Sequence, residues 1–141
     1  MAKYGRSASG RERTDTEVFT PEWLVKQMCD ELQRQDADVF ATERTFLEPT
    51  CGDGNFVVEI LRRKFERCRK RNDYTTALKS VYGLDIQADN IAECIRRVTA
   101  LCGEFFRPTK DELQIINDHF IQCDSLKIMK LLARMQEGAG Q

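Results

Sequence analysis

Hydrophobic positions recur along this chain in two rhythms, one helical and one extended, with polar turns between them. Leu24, Val25, Met28 and Leu32 follow Thr20-Pro21-Glu22 at helical spacing. Thr20 suits a helix cap and Pro21 the first helical position, so a helix with one buried face is predicted there. Thr45-Phe46-Leu47 is a short β-type run closed by Glu48-Pro49, and the turn Thr50-Cys51-Gly52-Asp53-Gly54 follows. A helix then begins near Asn55, with Phe56, Val57, Ile60, Leu61 and Phe65 inward. Ser80 to Leu84 reads as a second strand ending at Asp85. Ala88 to Leu101 reads as a helix stopped by Gly103, and Pro108 to Ile116 as a shorter helix or turn. His119 to Cys123 is a third strand ending at Asp124, and Ser125 can cap a last helix carrying Leu126, Ile128, Met129, Leu131 and Leu132. Strands alternating with helices predict an α/β fold, a parallel sheet of about three strands with helices on both faces.

A length of 141 residues predicts one domain, and 41% hydrophobic content is enough to give it a core. Residues 1–16, polar and aperiodic, read as a flexible N-terminal arm; 17–136 form the domain; 137–141 read as a disordered tail. For Lys3, Arg6, Arg11 and Arg13, a solvated tail competes with a phosphate-contacting arm. Lys plus Arg (22) balances Asp plus Glu (23), so no global charge announces a nucleic-acid binder. Without a long apolar run or a secretory signal, no membrane association and a cytoplasmic location are expected. The six cysteines show no Cys-x-x-Cys spacing and read as small buried hydrophobes rather than metal ligands. His119 is the only histidine, and nothing beside it marks it as catalytic. Arg62 to Arg71 holds seven positive charges and one negative, a solvated helix end or a phosphate patch. Trp23 and Tyr82 read as core residues before stacking ones.

All three predicted strands end in an acidic residue: Glu48, Asp85 and Asp124. In open parallel sheets, ligands bind beyond these ends. Gly52 and Gly54 let backbone approach a ligand, and the helix behind them points free N–H groups at the same space. The carboxylates suit ribose hydroxyls and an adenine amino group, so the site reads as one for an adenine nucleoside. A dinucleotide fingerprint fails, because position 57 is Val and Asp85 lies 31 residues past Gly54. A Walker phosphate loop is absent as well. S-adenosylmethionine remains the ligand expected.

Glu17-Val18-Phe19-Thr20-Pro21, Phe46-Leu47-Glu48-Pro49-Thr50-Cys51-Gly52-Asp53-Gly54-Asn55-Phe56, Tyr82-Gly83-Leu84-Asp85-Ile86 and Cys123-Asp124-Ser125-Leu126 resemble motifs X, I, II and III of the amino-group DNA methyltransferases of restriction–modification systems. Their order is that of the N6-adenine enzymes. The resemblance implies the first part of a class I, Rossmann-like methyltransferase sheet with S-adenosylmethionine as cofactor. It implies that Thr20 and the turn Gly52 to Phe56, including Gly54 and Asn55, hold the methionine moiety. Pro49 and Cys51 belong to the same turn, with Glu48 beneath it. Asp85 would take the ribose, Asp124 the adenine amino group, and Ile86 and Leu126 the adenine faces, although both apolar residues also suit plain core packing.

The family's catalytic Asn/Asp-Pro-Pro-Tyr/Phe is missing, since Pro21, Pro49 and Pro108 are the only prolines. The expectation is a truncated cofactor part, inactive alone, with DNA engaged only through a complete complex. A second chain or copy would cover the exposed edge of the first strand. The alternatives are a non-enzymatic interaction protein and a DNA-accessory protein that keep the fold.

Overall fold

The computed structural model describes residues 3–17 and 19–139; Met1, Ala2, Val18 of the first motif, Gly140 and Gln141 lie outside the described residues. The elements run α1 (Glu22–Gln35), β1 (Phe46–Glu48), α2 (Asn55–Glu66), α3 (Arg71–Lys79), β2 (Val81–Asp85), α4 (Ala88–Phe105), α5 (Lys110–His119), β3 (Phe120–Gln122) and α6 (Ser125–Ala139). The strands form one parallel sheet in the order β1-β2-β3, with Phe46 opposite Val81 and Gly83 opposite Phe120. This is the expected α/β, partial Rossmann-like arrangement of a three-stranded parallel sheet flanked by helices, except that the face bearing Leu47, Tyr82 and Ile121 is left exposed rather than covered.

Val81, Gly83 and Phe120 are buried on the sheet's inner face. The core gathers Val25 and Cys29 of α1, Val57, Leu61 and Phe65 of α2, and Cys94 and Val98 of α4. Leu47, Tyr82 and Ile121 alternate to the opposite face and are exposed. No side chain of α6 is buried, so its apolar residues also meet solvent. No described helix is long and apolar enough to cross a membrane.

Several local expectations are corrected. Helix α3 lies where the sequence pattern predicts no element. It is short, buries only Ala77 and Leu78, and starts where Asp73 accepts the N–H groups of Arg69 and Lys70. Pro21, rather than Thr20, is the cap residue of α1, and no side chain caps that helix. Its buried stripe is Val25 and Cys29; Met28 and Leu32 are exposed, and Trp23 is 63% exposed rather than core. Tyr82 is partly exposed and stacks on His119 at 4.2 Å. Gly103 does not end α4, because Phe105 and Phe106 pack edge-on against Phe65, each at 5.5 Å, and carry the helix to Phe105. Helix α5 is longer than expected, opened by Thr109 and Glu112, which exchange side-chain and backbone hydrogen bonds. Glu137 to Ala139, expected to fray, are the last turn of α6.

The basic run between α2 and α3 is largely absorbed by structure. Arg62 pairs with Glu104, Arg63 with Asp30 and Glu59, Arg67 with Asp38, and Arg71 with Glu112. Lys64 is fully buried and donates to the carbonyls of Ala41 (2.7 Å), Thr42 (3.4 Å) and Arg44 (2.6 Å). It therefore ties down the loop entering β1.

Candidate functional site

The turn between β1 and α2 is built by backbone. Cys51 N–H donates to Leu84 O at 2.8 Å, extending the β1–β2 contact past the end of the strand. Gly52 N–H then donates to Asp85 Oδ2 at 3.0 Å, so the glycine turn is fastened to the end of β2. Gly54 caps α2 with φ +100°, and a Cβ there would lie 3.0 Å from Cys94 Sγ. No side chain caps α2, which leaves its first-turn N–H groups and positive dipole end open to a ligand. Arg97 of α4 braces the turn by donating to Asp53 O (3.1 Å) and Asn55 Oδ1 (2.8 Å). Asn55 Nδ2 in turn donates to Thr20 O at 2.8 Å.

Beside this turn lies a cavity of about 270 Å3 at the carboxyl ends of the strands. Of the residues expected from sequence, Thr20, Pro49, Cys51, Gly52, Asn55, Phe56, Asp85, Ile86, Asp124 and Leu126 line it. Glu48 and Gly54 do not. The Glu48 carboxylate accepts from Thr50 N–H (3.2 Å) and Oγ1 (3.4 Å), shaping the turn instead. Gly54 acts through backbone conformation and its close approach to α4.

The acidic side chains have definite partners. Asp85 Oδ1 accepts from Gln87 N–H (2.8 Å) and Asn90 Nδ2 (3.3 Å), while among the described residues Oδ2 takes only the Gly52 N–H. A lone-pair direction on Oδ2 therefore remains for a hydroxyl donor. Asp124 accepts through Oδ1 from Leu126 N–H (3.1 Å) and Lys127 N–H (3.4 Å). It, not Ser125, makes the side-chain contact at the start of α6, and its Oδ2 is left for another donor. Ile86 is 57% exposed and Leu126 66%, so neither is a core residue. Cys51 is buried beneath the turn, where its contact with Cys94 and burial push its thiol far above the usual range. Burial also pushes Cys29 and Cys68 up to about 11 and Cys102 up to about 12, so these thiols are poor nucleophiles at neutral pH. Among the described residues no cluster has the makings of a metal site. His119 Nδ1 is 3.1 Å from Val81 O, and the residue does not line the cavity.

The N-terminal segment, expected to be a free arm, folds back onto this rim. Arg6 and Glu12 form an antiparallel bridge, and Ser7 is buried. Asp89, in the first turn of α4, accepts from Ser7 Oγ (2.6 Å), Ser9 Oγ (2.6 Å) and Arg11 (Nε 3.1 Å). Arg11 also grips Glu17 at 2.7 Å. The Arg11 hydrogen bond draws the Glu17 carboxyl down to about 2, and Asn90 Nδ2 joins Glu17 to the Asp85 site. Burial pushes the Asp89 carboxyl up, but Arg11, Ser7 and Ser9 together hold it well below its ordinary range. Arg13, Thr16, Glu17, Phe19 and Asn90 thus line the cavity in addition to the site residues expected from sequence. Glu17 and Phe19 carry a signal as members of the first motif, and Arg13 carries one as a cation of the phosphate-contacting arm weighed against a solvated tail.

Fold and site together define an α/β protein with a nucleoside-sized cavity at the carboxyl rim of a parallel sheet. The chain is 30% identical over 101 residues to the Type II methyltransferase M.VspI of Vibrio sp. (strain 343), a match covering 71% of this chain. It spans about a fifth of that relative's length (21%). No protein-family model and no solved structure matches the chain. The match supports a methyltransferase relationship.

Proposed function

We propose that the cavity binds S-adenosylmethionine and that this chain is the cofactor-binding portion of a DNA adenine-N6 methyltransferase. The observation that carries this reading is the Gly52 N–H to Asp85 hydrogen bond. It locks an uncapped helix N-terminus and a buried carboxylate around one cavity, as a ligand with an anionic end and a ribose requires. The donor set fits that cofactor. Asp85 Oδ2 would accept from the ribose, Asp124 Oδ2 from the adenine amino group, and Ile86 and Leu126 would offer apolar surface to the ring. When bound, the cofactor would supply an activated methyl group. The residues here orient it; the Asn/Asp-Pro-Pro-Tyr/Phe groups that would grip the amine of a flipped base are not among these 141.

The uncovered sheet face, at Leu47, Tyr82 and Ile121, supports a second element of the proposal. We take the remainder of a methyltransferase domain, on a further stretch of polypeptide, to add a strand at the β1 edge and cover that face. Calorimetric titration with S-adenosylmethionine, with Asp85→Ala as control and circular dichroism to verify folding, tests the central reading. Saturable binding abolished by the substitution is expected. A folded wild-type chain that ignores the cofactor would overturn it and leave an interaction protein as the better description.

A further inference from the structure

Arg13 is the one cation lining the cavity, and its side chain makes no hydrogen bond among the described residues. Its side chain is only 12% exposed, yet its closest charged partner is Asp53, at 3.8 Å. That distance is too long for a hydrogen bond. The guanidinium is held in place by stacking, with its carbon 4.4 Å from the centre of the Phe19 ring. The backbone of Arg13 is fixed by its N–H donating to Gly5 O at 3.0 Å. Asp53 does not depend on Arg13, since Arg97 approaches its carboxylate at 3.6 Å and also donates to its carbonyl. Arg11, the neighbouring cation, is committed to Glu17 and Asp89. A rigidly held fork of N–H donors therefore sits beside the glycine turn and the uncapped start of α2, without a hydrogen-bond acceptor among the described residues.

We infer that Arg13 is an anion-anchoring residue of this site, gripping the ligand's terminal carboxylate through paired N–H donors, and that the folded segment 3–17 is thereby part of the binding site. The inference rests on the proposal that the ligand is S-adenosylmethionine, whose methionine end carries the only carboxylate. A planar guanidinium suits a carboxylate better than an ammonium does, because two parallel hydrogen bonds form at once.

The test is calorimetric titration of the wild type, Arg13→Met and Arg13→Lys with S-adenosylmethionine and with its decarboxylated form. The wild type is expected to favour the carboxylated ligand by about 10- to 100-fold. Arg13→Met should bind the two about equally, and Arg13→Lys should keep part of the preference. If Arg13→Met does not fold, the reduced preference of Arg13→Lys carries the test. An unchanged preference in the folded variants, or no preference in the wild type, would overturn the role of Arg13 while leaving the cofactor reading standing. A wild type that binds neither ligand would overturn both.

Discussion

Replacing Gly54 by alanine probes the contact on which the site's geometry depends. Two costs add there. The residue has φ +100°, a left-handed conformation that costs a residue bearing a Cβ about 1–2 kcal/mol. The new methyl group would also lie 3.0 Å from Cys94 Sγ and 3.3 Å from Cys94 Cα, in a fully buried contact between α2 and α4. Forcing a methyl into such packing costs about 1–3 kcal/mol more. Gly52 provides the control, because its φ is +55° but no atom lies within 4 Å of its would-be Cβ. Gly52→Ala should therefore pay only the conformational cost, and the two variants should differ by about 1–3 kcal/mol. Urea unfolding followed by circular dichroism measures both on the same scale. A Cys94→Ala background should recover part of the Gly54→Ala loss, since it removes the nearest atom and leaves the backbone contact. Equal losses for the two glycine variants, or no recovery with Cys94→Ala, would refute the claim that the turn is seated directly on α4. Cofactor affinity should fall with Gly54→Ala as well, because easing the clash displaces the uncapped end of α2.

Two further predictions concern stability. Lys64→Met should cost about 2–5 kcal/mol in urea unfolding, since it strips Nζ from the carbonyls of Ala41, Thr42 and Arg44 inside the protein; a loss below about 1 kcal/mol would mean those carbonyls find other donors. Acid should weaken the fold through Glu17 and Glu112, both drawn from 4.5 to about 2, chiefly by hydrogen bonds from Arg11 and Arg71. Because the native carboxyls hold protons less tightly than the unfolded ones, their contribution is complete above about pH 5 and is lost as pH falls from about 4.5 to 2. The double variant Glu17→Gln/Glu112→Gln should start less stable at neutral pH and lose less on acidification, and an unchanged acid profile would exclude these two pairs as the cause.

Much of the frame was legible in the chain. The strand end at Asp85, the turn around Gly52 and Gly54, and the amphipathic faces of α2 and α4 are written in local patterns. Each depends on spacing within a few residues, or on one residue type that a turn requires. The third strand is shorter than expected, since His119 belongs to α5 and β3 stops at Gln122, short of Asp124. Helix α3 escaped because its two buried side chains make too short a pattern to show periodicity. Trp23 and Leu32 were misplaced because an apolar side chain at helical spacing says which face it shares, not whether anything covers that face.

Local pattern along the chain carries the parallel α/β frame and the placing of Gly52, Asp85 and Asp124 at one rim, since backbone conformation and strand polarity follow from near neighbours. Which polar groups are already spent emerges only from three-dimensional packing: Asp89 on the serines and Arg11, Asp124 on the start of α6, Lys64 on three carbonyls. The same packing leaves the Arg13 side chain without a hydrogen bond among the described residues. Hydrogen bonds between residues far apart in the chain are settled by competition among many candidate partners in three dimensions, and no spacing along the sequence records the outcome.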